Sequence, residues 1–113
     1  MSSHITLSMS DGTWVLRAGG AVLGETTKAL ELREGDQPPV IYFPRQDIAM
    51  ALLDRSETTS VCPYKGDATY YSIQTKSDLI ADAAWSYETP QPDVMAIKNH
   101  LAFFTDKVTL EEI

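Results

Sequence analysis

The segment Glu57-Thr58-Thr59-Ser60-Val61-Cys62-Pro63-Tyr64-Lys65-Gly66-Asp67 holds the densest set of reactive side chains in the sequence. Lys65 is a compact cation next to Tyr64, suited to gripping a phosphate or carboxylate. Desolvated, the same amine becomes a base or a nucleophile. The competing reading is a turn lysine with a solvated head and its stem laid on Tyr64. Cys62 is the one cysteine of the chain. As a nucleophile it needs a neighbouring cation to lower its thiol pKa, and the two histidines, His4 and His100, are both remote in sequence. Without such a neighbour it is a small buried hydrophobe. His100 is a proton carrier near neutral pH in one reading and a cap on the preceding turn in the other. Arg45 and Arg55 flank a short helical pattern and could hold an anion in bidentate fashion. Arg45 at the positive end of that helix is electrostatically misplaced, which points to a partner, either Asp47 or a ligand.

Aromatic residues gather in the second half: Tyr64, Tyr70, Tyr71, Trp85, Tyr87, Phe103 and Phe104. A small β domain needs several of them for its core. The polar edges of Tyr70, Trp85 and Tyr87 also suit a pocket wall. The stretch WSYETPQP, 85–92, is a proline-rich loop after a strand, a place where ligand groups often sit; the same prolines serve equally to fasten a turn. The glycines form neither GxGxxG nor GxxxxGK[ST], so a dinucleotide or P-loop site has no support. There is no Cys-x-x-Cys pair, no His-Glu-x-x-His helix and no Asp-x-Asp pair for a divalent metal, so neither metal nor cofactor is expected.

The elements that must position these groups are short. With 113 residues and 12.5 kDa the chain is expected to be a single domain, 1–113. Period-two alternation at Ile5–Met9 and Thr69–Thr75, and β-prone runs at Trp14–Ala18, Val40–Phe43, Thr58–Cys62, Ala83–Tyr87, Leu101–Phe104 and Val108–Glu112, predict seven to nine strands. The first of them read as an opening antiparallel meander. Ile48, Ala49, Leu52 and Leu53 lie at helical spacing, predicting one short helix over 45–53 buried on its Ile48/Leu52 side. Val94 and Ile97 predict a further turn or two of helix over 93–98. Short connections favour antiparallel pairing, and no strand–helix–strand unit is present for a parallel sheet. The formal net charge of −7 argues against nucleic acid and anionic membrane as partners. No run is long enough for a membrane helix and no secretory signal is visible, so the expected compartment is the cytoplasm.

The segments PPVIYFPRQDIAMALLDRSETTSVCPYKGDATYYSI and AAWSYETPQPDVMAIKNHLAFF, with the closing Asp-Lys-Val, resemble a family of small bacterial and fungal proteins of unknown function, sometimes labelled nucleotidyltransferase-like. The resemblance runs from about Leu16 to Val108, and its marks are CPYKG and WSYExPxP. It implies a mainly β fold of the β-tent kind: two small antiparallel sheets and one short helix, similar to the thalidomide-binding domain of cereblon and to methionine sulfoxide reductase B. Those proteins commonly hold zinc through two Cys-x-x-Cys pairs that this chain lacks, so the metal does not carry over. The positions that match the family pattern, and that the resemblance implies as one face or cavity, are Tyr42, Arg45, Cys62, Tyr64, Lys65, Tyr70, Trp85, Tyr87 and His100.

Three functions are open on these grounds. The leading expectation is a domain that binds a small anionic or planar ligand, with Trp85 and Tyr87 as walls and Lys65 and Arg45 as positive charge. The second is a small transferase-like enzyme, or one dependent on Cys62 or Lys65 with His100 assisting. The third is an interaction module, such as a homodimer through an exposed sheet edge.

Overall fold

Short strands punctuated by Gly and Pro satisfy their backbone groups by pairing with near neighbours, and here every ladder is antiparallel. The structure is a computed structural model and describes residues 4–113. Its strands are β1 (Ile5–Met9), β2 (Trp14–Ala18), β3 (Ala21–Thr26), β4 (Leu30–Glu34), β5 (Val40–Pro44), β6 (Leu53–Cys62), β7 (Gly66–Gln74), β8 (Leu79–Tyr87), β9 (His100–Phe103) and β10 (Thr109–Glu112). They form a seven-stranded sheet in the order β1-β4-β5-β9-β8-β7-β6 and a three-stranded sheet in the order β10-β2-β3. This is the mainly β, two-sheet β-tent architecture expected from the sequence.

The opening strands do not form a meander. The β2–β3 hairpin turns at Gly19 and Gly20, both at positive φ, and leaves for the second sheet, while β1 pairs with β4 across it, Leu7 opposite Leu32. Burial drives the separation: Leu16, Ala18 and Leu23 pack with Ile41, Phe43, Ile73, Leu101 and Phe103 from the large sheet in one core. The chain end repeats the move. β9 pairs within the large sheet, and β10 crosses to β2 instead of folding back on β9.

The helical stretch over 45–53 takes the form of two 3-10 turns, Arg45–Asp47 and Met50–Leu52, with Ile48 extended between them. The cause is a tertiary tie that outweighs local helical preference. Ile48 bridges to Gly24 of β3, and the Ala49 N–H donates to the Leu23 carbonyl at 2.7 Å. Gly24 permits this approach, since a Cβ there would lie 2.6 Å from the Asp47 carbonyl oxygen. Ile48 is buried as expected, whereas Leu52 faces solvent. Farther on, the segment Pro92–Ile97 is also 3-10, and it buries Val94 and Ile97 as their spacing predicts.

Successive residues of a strand point to opposite faces of the sheet. One face of the large sheet meets the small sheet. On the other face, Tyr42, Tyr87, Ala68 and Ala102 pack with Leu32, Val94 and Ile97, with Trp85, Tyr70 and Cys62 at the margin. Near the middle of the large sheet the ladder between β5 and β9 holds only two pairs, Phe43 with Leu101 and Pro44 with His100. Beyond them, toward Val40 and Phe104, the strands part.

Candidate functional site

On that second face, beyond the two pairs of the β5–β9 ladder, lies a hollow of about 220 Å³. Its walls come from β5 (Val40, Tyr42), β7 (Tyr70), β8 (Trp85, Tyr87) and Phe104. Leu32, Glu34, Gln37, Pro38 and Lys65 complete the lining. The aromatic wall is continuous. The Tyr42 and Trp85 rings meet edge to face at 6.5 Å and 85°, and the indole N–H donates to the Tyr42 hydroxyl at 3.3 Å. Trp85 tilts onto Phe104 at 4.6 Å, and Phe104 stacks on Tyr70 at 6.3 Å and 10°. Lys107 lies 5.5 Å over Phe104, a cation on the face of the ring. Burial pushes the Tyr42 hydroxyl up to about 12 against the lowering effect of the Trp85 hydrogen bond. Burial also raises Tyr87. Both therefore keep their protons near neutral pH.

Lys65 reaches the hollow through a latch between the two motif segments. Its N–H closes the turn onto the Cys62 carbonyl at 3.2 Å, and its carbonyl accepts from the Gln91 N–H at 3.0 Å. The next residue, Gly66, holds φ at +118°, where a side chain is strained, and a Cβ there would come within 3.1 Å of the Thr89 carbonyl oxygen. CPYKG and WSYETPQP thus meet through backbone contacts that need glycine at that position. The Lys65 ammonium donates to Glu34 Oε1 at 2.7 Å, with the lysine side chain only 14% exposed. The hollow therefore ends in an ion pair, a donor beside an acceptor, and not in the unbalanced positive charge expected from the sequence.

Of the positions read from the sequence, Tyr42, Lys65, Tyr70, Trp85 and Tyr87 line this hollow. Cys62 is a free, half-buried thiol packed against the cluster beside it. Tyr64 is 45% exposed and does not line the hollow. His100 sits at the far end of the β5–β9 ladder, opposite Pro44, where its Nδ1 bonds the Lys98 carbonyl at 2.8 Å. That is the turn-fastening contact, and it leaves Cys62, Lys65 and His100 without a common centre.

Arg45 also stands apart, and the reason lies in strand alternation. Tyr70 lines the hollow, so its neighbour Tyr71 faces the opposite side, and Arg45 belongs to Tyr71. Its guanidinium carbon lies 5.5 Å over the Tyr71 ring. Arg45 Nη2 is 3.3 Å from the Tyr71 hydroxyl and 3.4 Å from Glu88 Oε2. Arg55 pairs with the other oxygen of Glu88, and the Tyr71 hydroxyl donates to Oε2 at 2.7 Å. The two arginines around the 45–53 segment do hold an anion, but it is the chain's own Glu88. Burial pushes the Glu88 carboxyl up; the Tyr71 hydroxyl, then Arg55 and Arg45, overcome that and hold it below the ordinary range. Asp47, the other partner considered for Arg45, accepts from Thr26 instead.

The sequence reading missed Glu34, Phe104 and the Gln37-Pro38 loop. Glu34 carried no signal, because its partner lies 31 residues away. Phe104 was visible only as one more core aromatic.

With this geometry in place the family is decided by a match over residues 6–112 to the family described as "Domain of unknown function (DUF427)". The chain belongs to that family. The family's short name, NTP_transf_9, is of the transferase kind, in keeping with the label attached to the resemblance. No curated protein matches the chain. Among the described residues no group of three or more His, Cys, Asp or Glu is placed to hold a metal, and no helix is long and apolar enough to cross a membrane.

Proposed function

We propose that the hollow of this DUF427 chain is a substrate site for a planar ring that carries both a hydrogen-bond donor and an acceptor. The observation that carries this reading is the Lys65–Glu34 pair in the lining of an aromatic-walled cavity. Aromatic walls favour a flat ring through stacking and edge contacts. An ammonium beside a carboxylate offers complementary partners to a ring edge of the nucleobase or cyclic-amide type.

Size supports a single ring system. A hollow of about 220 Å³ is smaller than the roughly 300–1,000 Å³ of drug-sized sites. A wider, open groove continues from it past Pro39, Phe103 and Thr105, sharing Glu34, Trp85 and Phe104. A ring in the hollow would leave its substituents in that groove. The transferase-like family name favours a ligand that is turned over rather than merely held, so the small-enzyme reading stands ahead of a passive binding module. Cys62 and His100 lie outside the hollow, which makes Lys65 the one group of the three suited to proton transfer there.

The test is a thermal-shift series with nucleosides, nucleoside triphosphates and aromatic carboxylic acids, run beside a pyrophosphate-release assay. At about 100 times Kd a ligand of the native state adds about 2.7 kcal/mol of apparent stability. The expected result is stabilisation of the wild type by a ring-bearing compound, lost in Lys65→Met and Trp85→Ala. Stabilisation with release of pyrophosphate supports transfer, and stabilisation without turnover returns the site to the binding module. No shift with any compound, or equal shifts in both variants, overturns the reading.

A further inference from the structure

At the opposite end of the β5–β9 ladder from the hollow, a second, open cavity of about 510 Å³ is lined by Pro44, Arg45, Gln46, Lys98, Asn99 and His100. We propose that Arg45, Lys98 and His100 form a subsite for a phosphate-type oxyanion, free phosphate or the terminal group of a phosphate monoester. This inference does not rest on the function assigned to the hollow.

Charge balance is the first ground. The chain carries a net charge of −7, and among the described residues five of its arginines and lysines pair with its own carboxylates: Arg17 with Glu111, Arg33 with Glu31, Lys65 with Glu34, and Arg55 and Arg45 with Glu88. No carboxylate is among the residues that line this cavity. Among the described residues Lys98 has no carboxylate within ion-pairing distance.

Arg45 is the second ground. Its contacts to Tyr71 and Glu88, at 3.3 and 3.4 Å, are longer than the roughly 2.7–3.2 Å of good N–H···O bonds. Glu88 is already satisfied by Tyr71 at 2.7 Å and by Arg55. Only Nη2 of Arg45 is engaged, and since both two-donor edges of a guanidinium use that nitrogen, Nε and Nη1 remain as separate single donors, either of which can serve one oxygen of an anion.

Preorganisation is the third. The Arg45 N–H donates to the Asn99 carbonyl at 2.8 Å, and Pro44 pairs with His100 across the ladder. Asn99 holds φ at +65°, turning the chain tightly between Lys98 and His100. His100 Nδ1 bonds the Lys98 carbonyl, which fixes the ring and leaves Nε2 as its remaining polar atom. The backbone on both sides of the opening and the His100 ring are thus already fixed, which leaves chiefly the exposed Lys98 side chain for an anion to order.

The experiment is an amide chemical-shift titration of the full chain with sodium phosphate and, separately, glycerol phosphate, at constant ionic strength held with sodium chloride. The expected result is saturable shifts at Gln46, Asn99 and His100. Lys98→Gln should weaken binding about tenfold, the loss of one charge-assisted hydrogen bond. Lys98→Arg should restore most of it, and Lys65→Gln, at the other site, should leave it unchanged. Tighter binding of the ester than of inorganic phosphate identifies a monoester as the ligand, and equal binding identifies the free ion. Shifts that do not saturate, that chloride alone reproduces, or that survive Lys98→Gln unchanged overturn the proposal. Lys98 is exposed, and the unperturbed remainder of the spectrum reports that the variant is folded.

Discussion

Lys65 and Glu34, 31 residues apart, meet at 2.7 Å where the turn of one motif segment closes on the end of β4. The lysine side chain is 14% exposed and the glutamate 33%, so the pair lies between a surface salt bridge and a buried one. Lys65→Met leaves a half-covered carboxylate without its partner and should cost about 1–2 kcal/mol in urea unfolding. Glu34→Gln in the Lys65→Met background should recover part of that loss, because the uncompensated charge is gone. Simple additivity of the two substitutions would show that the pair contributes nothing.

Tyr42 makes stability depend on alkaline pH. Its hydroxyl is raised from the ordinary 10.0 to about 12, chiefly by burial. The folded state therefore prefers the protonated phenol, and this contribution is complete below pH 10 and lost as the pH rises from 10 through 12. Stability should fall across that window, and Tyr42→Phe should flatten the fall. Tyr87 is shifted in the same direction and will leave a residual slope. At pH 7 the Tyr42→Phe variant should lose about 1 kcal/mol, since the Trp85 N–H forfeits its acceptor.

Glu88 acts at the acid end. Its carboxyl is held below the ordinary 4.5 despite burial, by Tyr71 and then by Arg55 and Arg45. Its contribution is present above pH 4.5 and fades as the pH falls through that value to the lowered one. Glu88→Gln should be less stable than wild type at pH 7, by no more than about 1 kcal/mol because the site is partly solvated. The two proteins should converge as the pH drops below 4. Parallel stability curves from pH 7 to pH 3 would contradict this.

Gly24 is the point where the three-stranded sheet touches the 45–52 segment. A Cβ there would sit 2.6 Å from the Asp47 carbonyl oxygen, a backbone atom that cannot swing away. Gly24→Ala should therefore destabilise the protein by about 1–3 kcal/mol in urea unfolding. Gly20→Ala separates the two ways in which glycine matters. Nothing lies within 4 Å of that Cβ, yet φ is +82°, so its smaller cost, about 1 kcal/mol, reports backbone strain alone.

Much of the fold was legible because local patterns and tertiary structure agree. Strand alternation placed Trp85 and Tyr87 on one face, and the i, i+3 spacing of Val94 and Ile97 marked the pair that seals the sheet. What local pattern could not show was set by contacts distant in sequence. Ile48 sits at helical spacing, but its bridge to Gly24 draws the backbone out of the helix. Arg45 and Lys65 read as two cations of one pocket, although the parity of Tyr70 and Tyr71 assigns them to opposite faces of the sheet. Glu34 reads as the edge of a polar turn, and only folding makes it the partner of Lys65. The aromatic half of the site was therefore visible in composition and motif, while its charges were not.

The most direct measurement is fluorescence of the Trp14→Phe protein, in which Trp85 is the sole indole, as nucleosides and aromatic acids are added. A ring entering the hollow packs against Trp85 and its partners Tyr42 and Phe104. The expected result is a saturable change in Trp85 emission with a ring-bearing compound, weakened about tenfold or more by Lys65→Met. Emission that stays constant with every compound, or a change that Lys65→Met leaves intact, would contradict the assignment of this hollow as the ligand site.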